Sequence, residues 1–176
     1  MSRPPNRMNP PQGQRPGGRP NENQYGRDNR SRGGGLSGQV ADIDLTRVRF
    51  TPPQALDADL FAAVAERCAR KVGLEDDHKQ RNENKPSQLR KFYDELGMWA
   101  ERVRTEPAKF AEFLPFIRML NAKVAYARGR KLVDANYEAL MNHCLKEVTN
   151  PETLHLCKTF FEAFMGYYKV VRPSDK

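Results

Sequence analysis

The apolar residues of this chain recur at intervals of three and four over much of its length, which is the spacing of one face of an α-helix. From residue 57 onward several such segments follow one another, and no strand-like alternation appears after residue 56. Residues that start or end helices separate the segments, at Gly73, Pro86, Pro107, Gly129 and Asn150. The pattern therefore predicts an all-α bundle of about five helices over residues 57–172.

Individual residues sharpen this prediction. Gly73 is expected to cap the first helix at its C-terminus, and the charged residues 74–85 are expected to form a loop. Pro115 lies inside the third apolar run and is expected to kink that helix or split it in two. Asn150 followed by Pro151 is typical of an N-cap and first helical position, so the last helix is expected to begin there.

Residues 1–38 differ in composition from the rest of the chain. They contain seven arginines against two carboxylates, with eight of the 12 glycines and six of the 13 prolines. Such a stretch has too little apolar surface to offset the entropy lost on ordering, so we expect a disordered basic arm. Its Arg-Gly-Gly at 32–34 suits loose RNA affinity, and a solubilising tail without a specific partner is an equally good interpretation.

Residues 39–56 are expected to connect this arm to the helical domain. Their apolar side chains can pack as an extended strip that ends at Pro52-Pro53. The members of the strip are Val40, Ile43, Leu45, Val48 and Phe50.

The overall composition excludes some classes of protein. No segment approaches the roughly 20 consecutive apolar residues of a membrane-spanning helix, and the N-terminus lacks the apolar core of a secretory signal. The three cysteines, Cys68, Cys144 and Cys157, form no disulfide framework. We therefore expect a cytoplasmic protein without membrane contact.

Candidate catalytic and metal-binding residues are few. The chain lacks a Gly-rich phosphate loop, a His-Glu-x-x-His motif and a nucleophile elbow. His143-Cys144 and His155-x-Cys157 match no standard zinc spacing, and Cys144 and Cys157 fall on apolar helix faces, so we expect no metal and no cofactor. Asp76-Asp77-His78 could serve a metal-dependent nuclease, although a solvated loop is the favoured interpretation.

The positive signal is a set of basic residues. The 30 Lys and Arg outnumber the 22 Asp and Glu, and no acidic residue lies between Glu112 and Asp134. On a helical wheel of that segment, Lys123 and Arg130 share one flank of the apolar face, Arg118 lies on the opposite flank, and Arg128 points towards the core. A second basic cluster lies at 79–91, and a surface that presents two such clusters suits a phosphate backbone.

Three stretches carry a resemblance to a known family. They read KPSQLRKFY at 85–93, FIRML continuing to YARGR at 116–130, and LHLCKTFFEAFMGYYK at 154–169. In this order they resemble the small subunit of the type III-A CRISPR effector, the Csm complex, over roughly residues 57–170. The resemblance aligns Arg90 with a Leu-Arg position of that family, Arg130 with its Gly-Arg position, and Arg118 and Lys123 with the basic positions between them. It implies that these four residues face RNA. The supporting RNA-binding residues that it implies are Lys91, Arg128 and Lys131.

The resemblance implies an all-helical, non-catalytic subunit. Members of the family stack in several copies inside a guide-RNA filament and touch the backbone of the guide–target duplex, while cleavage belongs to other subunits. The implied partners are CRISPR guide RNA, target RNA, the backbone and large Csm subunits, and further copies of the chain. Tyr126, Phe160, Phe161 and Tyr168 are expected in the core or at a subunit interface rather than as base-stacking platforms.

Two other hypotheses remain open at this point. One is a helical protein–protein adaptor whose basic faces meet acidic partners. The other is the small nuclease built on the loop at 76–78.

Overall fold

The computed structural model describes residues 40–50, 56–74 and 82–173, and in those ranges it contains five α-helices and no β-strand. The all-α prediction is therefore confirmed. The helices are α1 (Ala65–Leu74), α2 (Pro86–Thr105), α3 (Phe110–Gly129), α4 (Ala135–Glu147) and α5 (Pro151–Val171). A π-helical turn, Leu60–Val64, leads into α1, and a 3₁₀ turn, Pro107–Lys109, leads into α3. The predicted basic arm of residues 1–38 lies outside the described residues.

Local sequence signals explain most of the helix boundaries. The Asn150 side chain accepts a hydrogen bond from the Thr153 backbone N at 2.8 Å, and the Thr153 hydroxyl accepts one from the Asn150 backbone N at 3.0 Å. This reciprocal pair is a capping box and confirms that α5 begins after Asn150. Helix α4 has an N-cap that apolar spacing does not reveal. The Asp134 side chain accepts a hydrogen bond there from the Tyr137 backbone N at 2.8 Å.

The core forms around α5, which packs against α1, α2 and α4, while α3 packs against α2 and α4. Aromatic rings connect these helices: Tyr137 lies 6.2 Å from Phe164, and Phe164 stacks on Tyr168 at 5.5 Å between ring centroids. Large buried rings of this kind contribute much of the hydrophobic stabilisation of a small domain. Phe160, Phe161 and Tyr168 are completely buried, as predicted.

The connector packs against the helical domain without forming regular structure. Val48 and Phe50 are buried and Ile43 and Leu45 are partly buried, whereas Val40 is 83% exposed, so the apolar strip begins at Ile43. Backbone groups of this segment bond to α4: the Asp42 N donates to Asn136 Oδ1 at 2.9 Å, and the Val48 carbonyl oxygen lies 2.7 Å from His143 Nε2. The predicted end of the strip at 52–53 lies outside the described residues.

The prediction that Gly73 caps α1 is wrong. Gly73 lies inside the last turn of α1, which continues to Leu74. A Cβ atom at Gly73 would stand 2.6 Å from Val171 Cγ1 and 3.2 Å from Tyr168 Cε2. The missing side chain therefore allows α1 and α5 to approach closely.

Of the two outcomes predicted for Pro115, a kink or a split of the third helix, the split does not occur, because α3 runs unbroken from Phe110 to Gly129. Pro115 is exposed in the second turn of α3. Only the carbonyl of Ala111 loses an intrahelical donor there, and nearby solvent can replace it.

The loop predicted for 74–85 starts after residue 74, because Leu74 still belongs to α1. Residues 75–81 lie outside the described residues, but Asn84 is buried and hydrogen-bonded inside the domain. None of the described helices is long and apolar enough to cross a membrane.

Candidate nucleic-acid interface

Helices α2 and α3 lie side by side and antiparallel, and two contacts fix their register. Lys123 Nζ of α3 bonds to Glu95 Oε1 of α2 at 2.6 Å. Further along, the Trp99 ring stacks on the Phe116 ring, with the centroids 5.8 Å apart and the planes 17° apart. Residues near the start of α2 therefore lie beside residues near the end of α3.

A row of apolar and basic side chains follows the exposed flank of α3 next to α2. Its members are spaced three and four residues apart, which keeps them on one side of the helix. Phe116 and Met119 are each 51% exposed and Tyr126 is 67% exposed. We call this row the α3 stripe; its members are Phe116, Met119, Lys123, Tyr126 and Arg130.

Lys91 brings a further positive charge to the α3 stripe from the neighbouring helix. It lies one turn before Glu95 on α2, on the same side of that helix, and is exposed. Because Glu95 bonds to Lys123, Lys91 borders the half of the stripe that leads from Lys123 to Arg130. The structure therefore brings Lys91, Lys123 and Arg130 of the predicted set to one face.

Arg90 faces a different groove, between α2 and α5. It lines a cavity of about 520 Å³ together with Lys169, Glu162 and Tyr93. Its Nε bonds to Asp94 Oδ1 at 2.9 Å, and its guanidinium lies 5.2 Å from the centroid of the Tyr93 ring. Arg90 and its neighbour Lys91 are about 100° apart around α2 and thus lie on different flanks of that helix.

Arg118 lies on the flank of α3 away from the stripe, as the helical wheel predicts. At 3.6 residues per turn it stands ~120–140° around the helix from Arg130 and Lys123. Its side chain is exposed, and no carboxylate of the described residues forms an ion pair with it. An RNA that touches the stripe therefore reaches Arg118 only by passing across α3.

Arg128 points towards the core side, which was also predicted from the wheel. Its side chain is 19% exposed, and its Nε lies 3.7 Å from Glu138 Oε2 of α4. This position places it between α3 and α4 and off the α3 stripe.

Lys131 follows the end of α3 in a left-handed backbone conformation, with φ of 57°. The Lys131 N donates to the Arg128 carbonyl oxygen and the Leu132 N donates to the Ala127 carbonyl oxygen, each at 2.9 Å. This pair of bonds is a Schellman motif, in which glycine is the usual residue at the position of Lys131. The motif holds the exposed Lys131 beside Arg130 at the end of the α3 stripe.

Tyr126 was predicted in the core or at a subunit interface, and its ring is not in the core, so only the interface half of that prediction stays open. The Arg130 guanidinium lies 5.7 Å from its centroid, and most of the ring faces solvent. The signal that could have revealed this is the composition of α3: its apolar residues occur on all sides, more than one core face can bury.

The cysteine and histidine side chains considered as metal ligands have different surroundings in the structure. Cys68, Cys144 and Cys157 are buried, free thiols, and burial raises the pKa of Cys68 to about 11. His143 contacts the Val48 carbonyl oxygen, and the described residues contain no group of three or more side chains that could hold a metal ion. The predicted alternative site at 76–78 lies outside the described residues.

Comparison with known proteins identifies the family. A family model described as Csm2 Type III-A matches residues 60–174, which include all five helices. Searches of curated proteins and of solved structures found no match. Because the family model covers well over half of the chain, the chain belongs to the Csm2 family, the small subunits of type III-A CRISPR Csm complexes.

Proposed function

We propose that this subunit binds the backbone of guide and target RNA without reading sequence, that it is not catalytic, and that several copies stack along the complex in antiviral defence. The observation that carries the proposal is the placement of Lys91, Lys123 and Arg130 on one face of α2 and α3. Glu95 is the one carboxylate that forms an ion pair with these three residues among the contacts of the described residues. Residues 113–133 contain no Asp or Glu. A surface with this excess of positive charge favours the binding of a polyanion such as RNA.

The chemistry of the ligand agrees with this arrangement. A guide–target duplex is approximately A-form, and its major groove is too deep and narrow for side chains to read the bases. A complex that must accept any guide needs contacts that position the duplex without specifying it, and phosphate contacts from Lys and Arg do this. Rigid helices hold these side chains at fixed spacing.

Stacking of copies would strengthen binding that is weak for one copy. A single subunit with about three phosphate contacts gains a modest, salt-sensitive affinity. Adjacent subunits on one filament bind one RNA at high effective concentration, so their increments combine. The other Csm subunits and further copies of this chain are therefore the proposed protein partners.

One observation favours the adaptor hypothesis as a second candidate. Phe116, Met119 and Met98 expose 45–51% of their surfaces. Neighbouring exposed apolar side chains of this kind are typical of a protein interface. A subunit of an assembly can bind RNA on one surface and protein on another, so the two roles are compatible. The adaptor role replaces the RNA role only if the chain does not bind RNA.

The experiment is a double charge reversal on that face of α2 and α3, Lys91→Glu with Arg130→Glu, in the full-length chain. Both side chains are exposed, so the helical circular dichroism should remain unchanged while retention of RNA is lost. The matched control, Arg67→Glu with Lys146→Glu, reverses two exposed charges on α1 and α4 and should retain RNA. Equal RNA binding by both double variants would contradict the proposal, and loss of helicity would show that the residues are structural.

A further inference from the structure

Tyr126 is the most exposed aromatic side chain among the described residues, at 67%. The other tyrosines of the helices differ from it: Tyr137 and Tyr168 are completely buried, and Tyr93 and Tyr167 are partly buried. Tyr126 therefore contributes little to the core.

The ring is held in position from one side. Arg130 lies one turn further along α3, and its guanidinium stands 5.7 Å from the centroid of the Tyr126 ring. A cation–π contact of this kind restricts both side chains while leaving other parts of the ring open to a ligand.

The charges around Tyr126 fit a nucleotide. Lys123 precedes it by three residues and Arg130 follows it by four, so positive charge lies on either side of the ring along the helix. Aromatic rings interleaved with basic side chains bind unpaired strands, because bases stack on the rings while phosphates meet the cations. An acidic protein segment would satisfy the charges but would not need a flat aromatic surface between them.

We propose that Tyr126, supported by Arg130, is a stacking platform for one unpaired base of the bound RNA. This inference rests on the proposed RNA-binding function and adds a base contact to the backbone contacts. Every base has a flat face, so the contact requires an unpaired nucleotide without requiring a particular sequence. A base inside a continuous duplex is covered by its neighbours and cannot reach the ring.

The test compares two oligoribonucleotides of the same length and charge, one with bases throughout and one with a central run of abasic residues. Wild-type protein should bind the base-bearing strand about tenfold more tightly. Tyr126→Ala should remove this preference, whereas Tyr126→Phe should keep it, since phenylalanine retains the ring. Because no charge changes, Tyr126→Ala should leave the dependence on salt unaltered.

The outcomes separate the two proposals. Equal binding of both strands by wild-type protein overturns the stacking inference and leaves the RNA-binding function standing. If wild-type protein binds neither strand but binds an RNA duplex, the stacking inference is wrong and the RNA-binding function stands. If it binds neither the strands nor the duplex, both are wrong. If Tyr126→Ala binds both strands as wild type does but no longer associates with other copies or Csm subunits, the ring is a protein contact and the inference is wrong.

Discussion

The hydroxyl of Tyr168 donates a hydrogen bond to the main-chain carbonyl oxygen of Asn84 at 2.6 Å inside the domain. Asn84 precedes α2 and is almost completely buried, with φ of 54°. Its side chain donates to the Val72 carbonyl oxygen at 3.2 Å and accepts from the Asp134 backbone N at 2.9 Å. One residue thus connects the end of α1, the start of α4 and the last turns of α5.

Replacement of Asn84 should destabilise the domain strongly. Asn84→Ala removes both side-chain bonds. It also leaves alanine in a left-handed conformation, which asparagine tolerates better because its side chain forms hydrogen bonds. We therefore expect a loss of about 2–4 kcal/mol in the free energy of unfolding. Chemical denaturation measures this loss, and Asn82→Ala, at an exposed position two residues earlier, is the control. A loss below about 0.5 kcal/mol would show that the hydrogen bonds around Asn84 are not important.

Lys131 should show opposite effects on stability and on RNA binding. Glycine adopts the left-handed conformation without steric cost, so Lys131→Gly should raise the free energy of unfolding by about 1 kcal/mol. The same change removes one charge at the end of the α3 stripe and should weaken RNA binding. Thermal melting and fluorescence anisotropy with labelled RNA measure the two effects, and unchanged RNA affinity would remove Lys131 from the interface.

Glu95 should weaken RNA binding in the wild-type protein because its carboxylate competes with phosphate for Lys123. Glu95→Gln removes this competition, and we expect RNA affinity to rise about two- to fivefold, in line with the small energies of exposed ion pairs. The matched control is Glu66→Gln, which breaks an exposed pair with Arg70 on α1. If both variants raise the affinity equally, only net charge matters and the α2–α3 face has no special role.

The three cysteines should be unreactive in the native protein. Burial raises the pKa of Cys68 to about 11, and burial together with a hydrogen bond to Cys157 raises the pKa of Cys144. A raised folded-state pKa means that the unfolded chain ionises first, so stability falls as the pH rises above the usual thiol value of about 8.5. A disulfide reagent at pH 8 should modify no thiol natively and all three in denaturant; rapid native modification would contradict the buried placement.

Sequence periodicity predicts the elements of this fold well because each helix carries a local signal. The capping box at Asn150, the first-turn position of Pro86 and the end of α3 at Gly129 all depend on residues within a few positions of one another. The wheel of α3 likewise places Arg118 and Arg128 correctly, since helix geometry alone decides which flank a residue occupies.

Features that depend on distant segments could not be predicted in this way. Gly73 looks like a cap until Val171, nearly a hundred residues later, is found against it. The burial of Asn84 depends on α1, α4 and α5 meeting around it, and the exposure of Tyr126 depends on how much of α3 its neighbours cover. A single sequence gives the flank of each residue but not the partner that covers that flank.

The most direct test of the account is the salt dependence of binding to two RNA duplexes of unrelated sequence, measured with the full-length chain. About three phosphate contacts on the α2–α3 face predict that the logarithm of the binding constant falls with the logarithm of salt concentration at a slope of about −2 to −3. The two duplexes should give the same slope and the same affinity. Binding that does not change with salt, or that differs more than about tenfold between the sequences, would contradict a backbone-binding role.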